Sequence, residues 1–301
     1  MPTIDRTHPL EGIALSLTAN LTWAAQVLYW PLLKPVGTDE LLAYRIAWSS
    51  VVCLLIVLML GRRRELYRLL RSPRTLVLLA GAGACLTAAW GVYIYAVTSS
   101  RVVESSLGLF LIPLATALVG VVIFGERLRP VQWMAVIGAA LATVVLAVGY
   151  GRLPWIALVI CSLMAAYAVL KKRVAVPAIS GFTAECLVLL GPALMFLAWL
   201  TVSGQDTAGN LVSARGALIA VSGLITAIPL ICHAATINIL PLVVVGVLQY
   251  LNPTLQFLIG IFVRHEAVDA TRWIGFALIW SALLVFIVDS LRESGKVLSQ
   301  E

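Results

Sequence analysis

The chain has 301 residues, of which 61% are hydrophobic and 12% are charged, and its mean hydropathy is +1.01. A soluble domain of this length needs far more charge at its surface, so the composition excludes one. The net charge of +7 does not indicate a nucleic-acid ligand, because many of the basic residues lie in two short loops, at 62–74 and 171–173, as in membrane proteins. We therefore expect a protein that binds the lipid bilayer and no nucleic acid.

Apolar segments follow one another along the chain, each about as long as the roughly 20 residues that cross a hydrocarbon core. They predict ten transmembrane helices, near residues 12–33, 40–60, 75–97, 102–124, 130–149, 153–170, 180–203, 214–236, 240–263 and 270–289. The predicted fold class is therefore an all-α polytopic membrane protein. Polar tails precede and follow these helices, at residues 1–11 and 291–301.

The distribution of positive charge predicts the orientation of the ten helices. If both termini lie in the cytoplasm, fourteen of the 21 Lys and Arg residues fall on the inner side and six on the outer side, while Arg45 lies within a helix. Positive residues are enriched on the inner side of membrane proteins. We therefore expect a multi-pass protein of the cytoplasmic (inner) membrane with both termini in the cytoplasm.

An internal repeat relates the two halves of the chain at an offset of 140 residues. The repeats cover residues 12–150 and 151–290, with five predicted helices each. Because five is an odd number, the second repeat is inverted relative to the first. Inverted repeats are typical of secondary transporters, whose substrate site lies near the membrane midplane. The related positions are Pro113 and Pro253, Gly120 and Gly260, Glu126 and Glu266, Trp133 and Trp273, Gly83 and Gly223, and Phe110 and Tyr250.

Two prolines, Pro113 and Pro253, lie near the centres of the fourth and ninth predicted helices. A proline lacks the N–H that would bond the carbonyl four residues earlier, here that of Leu109 or Gln249. In hydrocarbon the freed carbonyl needs another partner, so a symmetric pair of helix breaks indicates a binding cavity. The alternative is a kink that only improves packing, since proline is common in membrane helices.

Polar and aromatic residues cluster around these two prolines. Aromatic walls with a few amides suit a solute with an apolar body and a small number of hydrogen-bonding groups. For any one aromatic residue alone, packing against lipid is the alternative explanation. The predicted substrate-binding residues are Asn20, Trp23, Gln26, Trp90, Tyr93, Phe110, Tyr167, Gln249, Tyr250 and Asn252.

Two charged residues, Arg45 and Glu185, lie inside predicted helices at matching positions of the repeat. An ion pair between them is disfavoured, because one lies near the outer side of the membrane and the other near the inner side. Each is expected to find a local partner or to extend to its own interface. For Glu185 the expected partners are Lys171, Lys172 or His233. If transport is coupled to protons, Glu185 and His233 are the groups that titrate.

Enzyme motifs are not found in the sequence, which has no HExxH, no glycine-rich phosphate loop and no GxSxG. The five cysteines fall singly inside apolar segments, which is typical of small buried hydrophobic residues rather than of metal ligands. We therefore expect no enzymatic activity, no metal and no cofactor.

Several segments together resemble the RarD-type proteins of the EamA family, in the drug/metabolite transporter superfamily. They are DE at residues 39–40, YRIAWS at 44–49, ESSLGLFLIPL at 104–114, GERL at 125–128, QW at 132–133 and QYLNPT at 249–254. The resemblance extends from about Gly12 to Asp289. One departure follows the ninth predicted helix, where the family often has a Gly-Glu-Lys-Pro-like turn and this chain has RHEA at 264–267.

The resemblance implies ten helices in two inverted EamA repeats, cytoplasmic termini and alternating access, and it favours export over import. It also implies a central cavity lined largely by helices one, three, four, six, eight and nine. We expect a secondary transporter, or permease, that moves a small organic solute or drug, as a monomer or homodimer. Neutral or zwitterionic solutes fit better than cationic ones, because acids deep in the cavity are scarce. The alternatives are a flippase for lipids or lipid-linked sugars, and a non-transporting membrane enzyme or sensor.

Overall fold

The computed structural model describes residues 9–125, 127–174, 176–209, 212–240 and 242–298, and these ranges contain helices and no strand. A 3₁₀ helix, Trp30–Leu33, follows the first helix directly. The α-helices are α1 (Pro9–Tyr29), α2 (Thr38–Met59), α3 (Arg63–Leu70), α4 (Pro73–Thr98), α5 (Val102–Phe124), α6 (Pro130–Tyr150), α7 (Trp155–Val174), α8 (Ala178–Val202), α9 (Ala214–Ile239), α10 (Leu242–Gln249), α11 (Leu251–Phe262) and α12 (Ala270–Leu298).

Seven of the described helices, α2 and α4 to α9, are long and apolar enough to cross a membrane over all or most of their length. Two shorter apolar helices are α11 and the first part of α12, Ala270–Val285. A stretch of about 20 apolar residues cannot satisfy its backbone groups in lipid except as a helix. The regular secondary structure of the described residues is therefore all helical, with at least this set of apolar helices available to span a bilayer.

The helix bounds lie within a few residues of the apolar segments predicted from the sequence, with three exceptions. The arginine-rich loop contains α3, because Leu66 of this short helix is buried against the neighbouring helices. The ninth predicted helix is interrupted at Tyr250, which separates α10 from α11. Finally, α12 continues to Leu298, through most of the predicted C-terminal tail at residues 291–301.

The helices pack in pairs over long surfaces. These pairs are α6 with α12, α7 with α4 and α5, α1 with α9, and α2 with α8 and α9. Of the two largest buried clusters, one contains Trp30 and Ile94, and the other contains Phe110 and Phe257. Small residues allow the closest contacts: a Cβ at Gly223 of α9 would lie 2.7 Å from the backbone carbonyl of α2 at Trp48.

Two carboxylates connect the ends of helices that are distant in sequence. Glu266, after α11, accepts hydrogen bonds from the backbone N–H groups of Val102 and Val103, at 2.6 and 2.8 Å. These are the first residues of α5, whose N-terminal N–H groups have no partner within the helix. Glu104, also in the first turn of α5, is buried and pairs with Arg152 at 2.7 Å. Both contacts therefore fix the position of α5 relative to the second half of the chain.

Candidate functional site

The main cavity lies between α1, α4, α5, α7, α10 and α11. It holds about 890 Å³ of empty space, counting the part that is open to its surroundings. Sites for small organic molecules are usually concave and mostly apolar, with a few polar groups that orient the ligand. The residues that line this cavity are Asn20, Trp23, Ala89, Trp90, Tyr93, Leu109, Ile112, Pro113, Ile160, Met164, Gln249, Tyr250, Asn252, Pro253 and Gln256.

Most of the predicted substrate-binding residues line this cavity, and three lie elsewhere. Gln26 is buried against α9, where its amide donates to the Ile225 carbonyl at 3.3 Å. Phe110 lies in the buried cluster that it shares with Trp280. Tyr167 lies beside the Lys171 ammonium, 5.8 Å from the centre of its ring. The apolar lining residues, such as those of α7, carry no signal that sequence reasoning could have separated from ordinary core packing.

The two prolines of the repeat have different effects on their helices. α10 ends at Gln249 and α11 begins at Leu251, so the interruption falls at Tyr250, whose side chain lines the cavity. Pro253 lies in the first turn of α11, where its missing N–H would have no helical partner. α5 instead continues through Pro113, so only one of the two predicted helix breaks is present. A single proline removes one helical bond, which packing against neighbouring helices can offset.

Three of the residues that line the cavity carry a buried polar atom without a partner among the described residues. The Asn20 side chain is 1% exposed; its NH₂ group donates to the Ser16 carbonyl at 2.8 Å, and its oxygen has no partner among the described residues. The buried hydroxyl of Tyr93 and the side-chain oxygen of Gln256 also have none there. A buried polar atom without a partner costs about 1–3 kcal/mol. A ligand that bonds these atoms would recover part of that cost.

His233 contacts two of the residues that line this cavity and does not pair with Glu185. Its ring nitrogen contacts the Gln249 amide nitrogen at 3.0 Å, and its ring centre lies 5.6 Å from that of Trp23. Glu185 instead pairs with Lys171 at 2.6 Å, which confirms one of its three predicted partners. Both members of that pair lie near the end of the membrane helices that the sequence assigns to the cytoplasm.

Arg45 is buried within the helices and has local partners, which is the first of the two outcomes expected from the sequence, and it does not extend to the interface. Its side chain is 7% exposed, and its Nε donates to the Thr226 hydroxyl at 3.0 Å. Its guanidinium carbon lies 4.2 Å from the centre of the Trp90 ring, which is the distance of a cation–π contact. These two contacts hold the charge between α2, α4 and α9.

Within the described ranges, no three His, Cys, Asp or Glu side chains come close enough to hold a metal ion. The five cysteines are free thiols, three of them buried. The described residues that line the cavity therefore provide aromatic rings, amides and apolar side chains, and the Arg45 cation contacts one of its walls, Trp90.

Comparisons with known proteins identify relatives of this chain. Residues 10–148 match the EamA-like transporter family. The chain is similar to the protein RarD of Streptomyces exfoliatus, with 42% identity covering 94% of this chain and 90% of that protein. It is also similar to an uncharacterized transporter of Vibrio cholerae, with 32% identity covering 96% of each protein. A solved crystal structure with 21% identity shares the fold, with a TM-score of 0.61 over 93% of this chain and 98% of that one.

Proposed function

The chain belongs to the EamA-like transporter family, as a RarD-type integral membrane protein, and we propose that it is a secondary transporter that moves a small organic solute or drug by alternating access. The single observation that carries this proposal is the large cavity, which is lined by helices from both halves of the chain. A site between two repeats becomes accessible from either side when one repeat rocks against the other. Export is favoured over import on family grounds.

The packing of the helices supports ten transmembrane helices in two inverted repeats, at residues 12–150 and 151–290. In this scheme the transmembrane helices of the first repeat are α1, α2, α4, α5 and α6. Their counterparts in the second repeat are, in the same order, α7, α8, α9, the pair formed by α10 and α11, and α12. The contact of α4 with α7 then corresponds to that of α9 with α1, and the contact of α5 with α7 to that of α11 with α1. The two-fold relation leaves the contact of α6 with α12 unchanged, because these two helices are each other's counterparts. All of these pairs are present, as a two-fold relation requires.

The ion pairs support an orientation with both termini in the cytoplasm, in the inner membrane. Lys171 and Glu185 both lie on the side that the positive-inside rule assigns to the cytoplasm. So do Arg129 and Asp289, which pair at 2.7 Å. Glu104 pairs with a residue that the rule assigns to the outer side, where α5 begins. None of these pairs joins opposite sides of the membrane.

Counterflow in proteoliposomes tests the proposal. Purified protein would be reconstituted with each of a panel of unlabelled amino acids, small metabolites or chloramphenicol inside, and uptake of the labelled compound would be measured. We expect at least one solute to accumulate, and we expect Tyr250→Ala to lose most of that flux because Tyr250 lines the cavity at the helix break. The matched control is Tyr95→Ala, since Tyr95 is 41% exposed on the outside of α4 and is not part of the cavity.

The outcomes separate the transporter from its alternatives. Flux that depends on Tyr250 and not on Tyr95 supports a carrier and identifies its solute. Flux that is unchanged in Tyr250→Ala contradicts the proposed site. If folded protein transports none of the solutes, the result favours a lipid flippase or a sensor without transport. A fluorescent-lipid scrambling assay in the same vesicles would detect the flippase. Cross-linking in the same membranes distinguishes a monomer from a homodimer.

A further inference from the structure

A second, smaller cavity lies behind Trp90, whose ring forms a wall of both cavities. It holds about 350 Å³ of empty space between α2, α4, α8 and α9. Arg45 and Ser49 line it from α2. Four residues apart, they lie on the same face of that helix. The smaller cavity therefore adjoins the main cavity at Trp90, and a guanidinium and a hydroxyl are among the groups that line it.

Arg45 is a buried cation without an acidic partner in the part of the chain that the structure describes. Its Nε is held by the Thr226 hydroxyl, which in turn donates to the Ser222 carbonyl at 2.9 Å. Its two terminal amino groups make no hydrogen bond with any described residue. Glu185 also lines the cavity; its Oε1 lies 2.6 Å from the Lys171 ammonium, which balances its charge, and its Oε2 has no partner among the described residues. The uncompensated charge of the small cavity is therefore positive.

Ser49 provides a second, independent observation at the same place. Its side chain is 2% exposed, and its hydroxyl has no partner among the described residues. A buried charge without a counter-charge and a buried hydroxyl without a partner are both unfavourable, and both are relieved by an acceptor with negative charge. A guanidinium and a hydroxyl on one helix face are suitable donors for such a group.

We propose that the solute carries a carboxylate, which occupies the small cavity and accepts hydrogen bonds from the terminal amino groups of Arg45 and from the hydroxyl of Ser49. This inference rests on the proposed function and names the class of its solute, a monocarboxylate with an apolar body. The body lies in the main cavity against Trp90, and the acid lies behind that ring. A single uncompensated positive charge matches a single negative charge, whereas a phosphate dianion would require a second cation. A zwitterion binds through its acid, and a neutral solute leaves Arg45 unpaired.

Binding of matched acids and amides tests the inference independently of transport. Isothermal titration calorimetry of the purified protein at pH 7 would compare benzoate, phenylacetate and 3-phenylpropionate with benzamide, phenylacetamide and 3-phenylpropionamide. Each pair has the same body and differs in the charge of its head group. We expect at least one acid to bind ten times more tightly than its amide, because a charge-assisted hydrogen bond is about twice as strong as a neutral one and two or more form here. No preference for any acid over its amide would overturn the inference.

Variants assign the preference to the small cavity. Arg45→Gln is expected to remove the preference for the acid, and Arg45→Lys, which keeps the charge but not the fork of donors, to retain part of it. Ser49→Ala deletes only one hydroxyl, so it keeps the test decisive if the Arg45 variants fail to fold. We expect this variant to bind the acid several-fold more weakly and to bind the amide with unchanged affinity. Ser203→Ala, at the exposed end of α8, is the matched control. Acid binding that survives both Arg45→Gln and Ser49→Ala would contradict the proposal.

The two proposals fail in different ways. Acids that bind through Arg45 without any counterflow would leave the carboxylate site standing and overturn the transporter. Counterflow of a neutral solute that is unchanged in Arg45→Gln would support the transporter and overturn the carboxylate site.

Discussion

Glu266 is predicted to contribute more to stability than any exposed carboxylate of the chain. It accepts two short hydrogen bonds, from the N–H groups of Val102 and Val103 at 2.6 and 2.8 Å, where the positive end of the α5 dipole lies. A hydrogen bond to a charged group contributes about 1.5–3 kcal/mol. Glu266→Gln keeps one acceptor oxygen but places an NH₂ group against the second N–H. We therefore expect the free energy of unfolding to fall by about 2–3 kcal/mol, roughly one such bond together with part of the charge–dipole attraction.

The assay is thermal unfolding of the purified protein, followed by the fluorescence of its nine tryptophans. Because each kcal/mol of lost stability lowers Tm by about 2–4 °C, the Glu266→Gln variant should have a Tm about 4–12 °C below that of the unsubstituted protein. Glu11→Gln is the matched control, because Glu11 is an exposed carboxylate in the first turn of α1. Exposed carboxylates of this kind change stability by about 0.5 kcal/mol or less. Equal shifts in the two variants would refute the argument.

Two further predictions concern the backbone. Gly223→Ala should lower Tm by several degrees or prevent folding, because the added Cβ would lie 2.7 Å from the Trp48 carbonyl. The control is Gly191→Ala, which should not lower Tm because its Cβ would meet open space. Equal effects of the two substitutions would contradict the close approach of α2 and α9. His265→Gly should raise Tm slightly. His265 has a φ of 53°, and this left-handed conformation costs an L-residue about 1 kcal/mol. A lower Tm would contradict this prediction and would show that the imidazole stabilises the fold by more than the strain costs.

Much of the fold was predictable, because a run of about 20 apolar residues has few stable conformations in a membrane. Two features were not. The sequence of α3 is short and rich in arginine, and only its burial against other helices distinguishes it from a loop. The interruption at Tyr250 occurs three residues before Pro253, although Pro113 leaves its own helix continuous. Proline identity alone therefore does not determine where a helix breaks, because the packing around it decides.

The candidate site was predictable in its residue types and not in its pairings. Amides and aromatic residues near Pro253 indicated a cavity, and most of them line it. The environment of Arg45 depends instead on Thr226, which lies 181 residues away in sequence. Periodicity could place Arg45 inside a helix, but only the folded chain shows that it contacts a hydroxyl and an aromatic ring and forms no ion pair with a carboxylate of the described residues. Our proposal of a carboxylate solute rests on that environment.

The turn after α11 shows how a repeat can persist where its residues differ. In the first repeat a glycine precedes the acid, and this residue, Gly125, has a φ of 65°. The position 140 residues later is His265, which adopts a φ of 53° despite its side chain. Histidine is among the residues that tolerate this region at a modest cost. The strained backbone is retained because it places the next residue, Glu266, at the free N–H groups of α5. The position of the acid, rather than the presence of glycine, is therefore what the turn preserves.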